Sequence, residues 1–147
     1  MDRSDLEYIR ILNDKINERL ERRGFLKAKA YPGAIRYDDI GGSKPMVFDT
    51  LGDLYSEIDL EERKLDRMID KRYMLKTQAI HAIQSACDDP AERHVLYLRY
   101  LGTVPEVKVN LEWSEVMEYM KERHNIQERR VWYLHHVALS KLKYHNM

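Results

Sequence analysis

The stretch QERRVWYLHHVALSKLKY, residues 127–144, decides the fold class. Val131, Leu134, Ala138, Leu139 and Leu142 recur at helical spacing, so one face is apolar while Arg129, Arg130, Lys141 and Lys143 lie off it. That pattern predicts an amphipathic helix from Gln127 to about Tyr144 with a basic outer side. Just upstream, Trp113, Val116, Met117 and Met120 mark another helix that breaks near His124-Asn125. Further back, DPAERHVLYLRYLG (89–102) opens on a stop-and-start signal. Asp89 suits an N-cap, Pro90 suits a first helical position, and Glu92 can reach back to close a capping box. A helix therefore runs from Pro90 to Gly102. Thr103 to Asn110 connects it to the next, and the alternation of Val107, Val109 and Leu111 predicts a short extended segment. Three short helices with tight breaks, the last one basic, outline a helix-turn-helix module over residues 89–147.

Residues 1–88 read as an antiparallel helical hairpin, which makes the whole chain all-α. From Ser4 to Arg23, Leu6, Ile9, Leu12, Ile16 and Leu20 form one narrow apolar stripe, which Gly24 is expected to end. A loop of about residues 24–49 follows, with Pro32-Gly33, Gly41-Gly42 and Lys44-Pro45 as breakers. Its apolar residues Tyr31, Ile35, Tyr37, Ile40, Val47 and Phe48 could lay it along the helices. Thr50 with Asp53 marks the next helix start, and a helix from there to Cys87 would be about 57 Å long. Its seam is Leu51, Leu54, Ile58, Glu61, Leu65, Met68, Arg72, Leu75, Ala79, Ala82 and Ala86, interrupted by Glu61 and Arg72. Such a coiled-coil-like helix is first of all a scaffold or a homodimerisation element.

Composition narrows the functions. The 147 residues suit one domain or two small modules, and 44% hydrophobic residues are enough to offset ordering entropy. Lys plus Arg and Asp plus Glu are 25 each, which excludes a basic tail protein and an acidic solvating chain. No apolar run is long enough for a membrane helix, and residues 1–5 lack the core of a signal peptide. A single cysteine, Cys87, cannot form an internal disulfide, so the expected compartment is the cytoplasm. The neutral total hides a gradient, because residues 124–147 carry four basic groups against one acidic. Only this end has the sign that suits a polyanion.

The motifs ERHVLYLRYL (92–101), WSEV (113–116) and RRVWYLHHVALSKL (129–142) together resemble region four of bacterial sigma factors. There an R-x-V-L-x-L-R-Y helix precedes a W-x-E-I-A helix and a recognition helix of pattern V-x-x-L-x-x-x-A-L-x-K-L. Val131, Leu134, Ala138, Leu139, Lys141 and Leu142 fill every specified place of the last pattern. The short helix, Gly/Pro loop and long charged helix ahead of it make residues 4–144 similar to phage and prophage late-transcription regulators of the RinA/ArpU type. The chain departs from that pattern by about eight added residues between Thr103 and Glu112, by Met117 in place of a small residue, and by Gln127 in place of a Ser or Thr cap. The resemblance implies a transcriptional regulator that binds double-stranded DNA, with RNA polymerase as a second partner.

With Val131, Leu134 and Ala138 inward, helical spacing turns Gln127, Glu128, Arg130 and Tyr133 outward, with Arg129 at the margin. Arg can bond guanine bidentately, Gln adenine, and Glu can accept from cytosine, so this set has the chemistry to read bases. Lys141 and Lys143 lie further along and suit phosphates. A solvated helix face would show the same periodicity. Trp132 is expected to pack beneath the 104–111 connection, with base stacking as the alternative. His135-His136 point about 100° apart and make a poor metal pair, and His81, His94 and His124 have no ligand spacing that singles them out. Gly41-Gly42-Ser43-Lys44 lacks the spacing of a phosphate loop. No nucleophile with its base can be nominated, so neither an enzyme nor a cofactor is expected. Two other readings remain: a protein-interaction module docking on RNA polymerase or another transcription protein, and a structural coiled-coil oligomer.

Overall fold

The computed structural model describes residues 1–30, 47–103 and 108–145. Among these the chain is all-helical, without a strand. α1 spans Arg3–Ala30, α2 Val47–Ala86 and α3 Pro90–Leu96, which continues as a π-helical turn over Tyr97–Leu101. α4 spans Trp113–His124 and α5 Glu128–His145. No helix of the described residues is long and apolar enough to cross a membrane. Contacts gather the residues into two compact units, Met1–Asp14 with Lys71–Met147, and Lys15–Asp70.

In the first unit, α1 starts with reciprocal capping: the Asp5 N–H donates to the Asp2 carboxylate at 3.2 Å and the Asp2 N–H to that of Asp5 at 2.9 Å. Leu6 and Ile9 then enter a core with Ala79, Ile83 and Cys87, Leu96, Tyr100 and Leu101, and Ala138 and Leu142. A second core holds Val95 and Leu98, Leu111, Val116 and Met120, and Val131 and Leu134. Each helix supplies residues three or four apart, the spacing that puts them on one face. Asn13, buried on α1, donates to the Asn110 side chain at 3.0 Å and accepts from Arg72 at 3.3 Å. Asn110 sits at φ 54° and donates in turn to the Arg10 carbonyl and the Asp14 carboxylate. The seam break at Arg72 therefore has a polar partner.

In the second unit the sense of the two helices is opposed. Arg19 of α1 donates to both carboxylate oxygens of Glu61 at 2.9 and 3.0 Å, whereas Leu26 and Ala30, further along α1, pack on Ile58 and Leu54. Arg22 adds a 3.5 Å contact to Glu61, and Lys27 pairs with Glu62 at 2.9 Å. Glu61 is thus a buried ionic position in an otherwise apolar seam, flanked by the buried Ile58 and Leu65.

Several expectations need correction. Gly24 does not end α1, which runs to Ala30; a glycine inside a helix costs only about 1 kcal/mol, and the Leu26 and Ala30 contacts and the Lys27 pair offset it. Leu20, expected in the stripe, is exposed, and Leu26 and Ala30 carry the buried face instead. α2 starts at Val47, three residues before Thr50, and ends at Ala86. Most of the expected loop, residues 31–46, lies outside the described residues, as does Val107. Val109 and Leu111 belong to no strand. Asp89 caps α3 by accepting from the Ala91 N–H at 3.0 Å, but Glu92 does not close the box, because its buried carboxylate is paired with Lys141. The π-helical turn had no sequence signal. It ends with the Gly102 N–H donating to the Tyr97 carbonyl at 2.8 Å. Gly102 adopts φ 104°, and a Cβ there would stand 2.7 Å from the Lys108 carbonyl.

Candidate nucleic-acid interface

A turn of three residues, Asn125 to Gln127, sets the candidate interface. α4 stops at Asn125, which takes a left-handed conformation (φ 52°, ψ 43°) and returns its N–H to the Lys121 carbonyl at 3.0 Å. Asparagine tolerates that conformation better than most side chains. Ile126 packs on the second core, and the Gln127 carbonyl accepts from the N–H groups of Arg130 and Val131, which starts α5. Val131, Leu134, His135, Ala138 and Leu142 are buried and fasten α5 to the rest of its unit.

That fastening fixes what faces outward. Gln127, Glu128, Arg129 and Arg130 are all exposed, and Tyr133 is 55% exposed. The Arg130 guanidinium lies 5.1 Å from the centre of the Tyr133 ring, an attractive contact that holds both in one place on the surface. Lys143 is exposed too. Lys141 differs: its ammonium donates to both oxygens of the buried Glu92 at 3.0 and 2.8 Å, and that bond raises its pKa. It joins α5 to α3 through this ion pair while its side chain stays 44% exposed.

Trp132 is 44% exposed, and its cover is Trp113 from α4, with ring centres 4.3 Å apart. The Arg99 guanidinium stacks over Trp113 at 4.6 Å, and His135 meets the same ring edge-on. His135 bonds the Tyr100 hydroxyl at 2.8 Å. Burial, with Arg3 and Arg99 adding to it, pushes its pKa down to about 4, so the ring is neutral near pH 7.

Sequence reasoning missed Arg10 and Arg99. Both donate to the Leu111 carbonyl, at 3.1 and 2.8 Å, and they line a cleft of about 260 Å³ with Arg3, Glu7 and Trp113. Burial, and then Arg10, lower the Arg99 pKa. Their separation of 89 residues leaves no local pattern to detect. It also missed that His94 and His124 meet, with Nδ1 and Nε2 2.9 Å apart. Family models, curated proteins and solved structures give no match to this chain.

Other chemistry is sparse. Among the described residues no three His, Cys, Asp or Glu side chains form a metal-binding group. Cys87 is buried, and burial pushes its thiol up to about 11, away from a reactive thiolate. Gly41-Gly42-Ser43-Lys44 lies outside the described residues.

Proposed function

We propose that the chain is a cytoplasmic transcriptional regulator of phage or prophage type that binds double-stranded DNA through a sigma region-four-like helix-turn-helix, with α4 and α5 as its two helices. Residues 1–88 are its helical hairpin and 89–147 its DNA-binding module. The observation that carries the reading is the short turn at Asn125-Ile126-Gln127 followed by an exposed first turn of α5. A turn of this length, with one left-handed residue, is what places the second helix of such a pair across the first. The exposed set Gln127, Glu128, Arg129, Arg130 and Tyr133 then has the donors and acceptors that major-groove edges need. Lys143 suits phosphates, and Lys141 has the structural task of satisfying Glu92. No catalytic role is part of this reading.

RNA polymerase or a second copy of the chain is the accompanying partner. What favours a protein partner is the exposure of Tyr73 and Met74 on α2, 73% and 60%, which is high for large apolar side chains. The near-neutral total charge also limits what DNA binding alone can supply. A binding selection from fragmented host and prophage DNA, run with and without polymerase, tests the reading. Enrichment of a common sequence supports it, and failure to enrich any sequence under both conditions contradicts it.

A further inference from the structure

Pro90, Arg93, His94 and Tyr97 on one side and Arg123 and His124 on the other line a cleft of about 290 Å³ between α3 and the last turn of α4. Four of the six are arginine or histidine, and none lining the cleft is acidic. No ion pair joins Arg93, His94, Arg123 or His124 to a carboxylate among the described residues. Three acids adjoin the lining residues in sequence, Asp89, Glu92 and Glu122; Asp89 has its carboxylate on the Ala91 N–H, Glu92 is paired with Lys141, and Glu122 does not line the cleft. Arg93 makes one long bond, 3.4 Å, to the Cys87 carbonyl, which leaves most of its five N–H donors for other partners.

The imidazoles add a second feature. His94 Nδ1 and His124 Nε2 are 2.9 Å apart with the rings at 66°, so one nitrogen donates and the other accepts. Burial, followed by His124 and Arg123, pushes His94 down to about 4. Behind burial, His124 and Arg123 thus oppose protonation of His94, and an anion in the cleft would relieve that opposition. The C-terminal carbonyls of α4 work against an anion, but that of Lys121 is taken up by the Asn125 N–H.

We propose that this cleft is a binding site for a phosphoryl group, with Arg93 and Arg123 as guanidinium donors and, as a further donor, the one imidazole N–H that the His94–His124 hydrogen bond leaves over. Guanidinium forks match the oxygens of phosphate, and donors from two helices suit a tetrahedral anion with several oxygens better than a planar carboxylate with two. The site uses none of the outward residues of α5, so it does not rest on that helix reading bases. A nucleic-acid backbone and a free phosphorylated molecule offer the same chemistry.

The test is a titration of the full chain with inorganic phosphate, followed by the ring resonances of His94 and His124. The expected result is a saturable shift of both rings at pH 7.5, where burial keeps His94 neutral and the positive charge of the cleft comes from Arg93 and Arg123. Arg123→Ala, at an exposed position, should weaken binding at least about tenfold, the loss of one charge-assisted hydrogen bond. Lys64→Ala, at an exposed position on α2, should leave it unchanged. A shift that grows linearly and is matched by chloride at equal ionic strength would overturn the proposal, as would a saturable shift indifferent to both Arg123→Ala and Arg93→Ala. A short DNA duplex separates the sources. If the duplex produces the shift and phosphate competes, the site holds a backbone phosphate; if phosphate saturates while the duplex leaves the rings unmoved, the ligand is a free phosphorylated molecule. Either result upholds the site.

Discussion

His135 gives the chain a stability that depends on pH in a calculable way. The ring is buried on α5, stacked against Tyr100 at 5.8 Å and bonded to its hydroxyl at 2.8 Å. Its pKa falls from 6.5 in the unfolded chain to about 4 in the folded one, so the folded state binds fewer protons between those values. Stability is therefore complete above pH 6.5, declines as pH falls, and is fully reduced below about pH 4. At 1.36 kcal/mol per pH unit the upper bound is about 3.4 kcal/mol, and solvent screening brings the working figure to about 2 kcal/mol. Urea unfolding at half-unit steps from pH 7.5 to 4 measures it. His94 titrates in the same direction and the same range, so the comparison that isolates His135 is the slope of wild type minus that of His135→Gln. The two slopes should differ by up to about 1 kcal/mol per pH unit between pH 6.5 and 4.5. Equal slopes would refute the reasoning, because His135 would then be as protonated in the folded chain as in the unfolded one.

Other expectations follow from single contacts. Glu61→Leu should match or exceed wild type in urea unfolding, since an apolar side chain fits between Ile58 and Leu65, whereas Arg19→Ala should cost about 1–2 kcal/mol by leaving the buried carboxylate with Arg22 alone. Gly24→Ala should stabilise by about 0.5–1 kcal/mol, because nothing lies within 4 Å of the added methyl inside α1. The opposite holds at Gly102, where φ 104° and the Lys108 carbonyl at 2.7 Å make Gly102→Ala destabilising by more than about 1 kcal/mol in the same assay. Lys141→Gln should lower the melting temperature and leave DNA affinity near wild type, while Lys143→Gln should do the reverse.

The C-terminal helices were legible because their information is local. Val131, Leu134, Ala138 and Leu142 are spaced for one helical face, and that face is the buried one. The break at His124-Asn125 was likewise readable, since it needs only a residue that accepts a left-handed backbone. The irregular seam of α2 was visible in part: Ile58, Glu61, Leu65 and Ala79 are buried, but beyond them Ile83 and Cys87 are the buried positions and the expected Ala82 and Ala86 are only partly so. What sequence could not show depends on partners far away in the chain. Glu92 has the spacing of a capping residue, yet a lysine 49 residues later competes for it and wins. Gly24 looked like a stop because propensity is local, whereas the contacts of Leu26 and Ala30 that continue α1 are not. The outward residues of α5 were predicted from the same periodicity that predicted its core, but that periodicity could not show the pairing of Lys141 with Glu92. The clustering of Arg10 with Arg99, and of His94 with His124, exists only in three dimensions.

The most direct test of the central claim is the affinity of wild type and Arg130→Ala for one selected duplex and its single-base variants, read by fluorescence anisotropy at fixed salt. If α5 reads the major groove, Arg130→Ala costs about 1–3 kcal/mol, roughly 5- to 150-fold, and flattens preference at one base position only. Lys143→Ala in the same assay should weaken every duplex alike. The claim is contradicted if Arg130→Ala and Gln127→Ala bind and discriminate as wild type does while changes on α2, such as Tyr73→Asp, abolish activity.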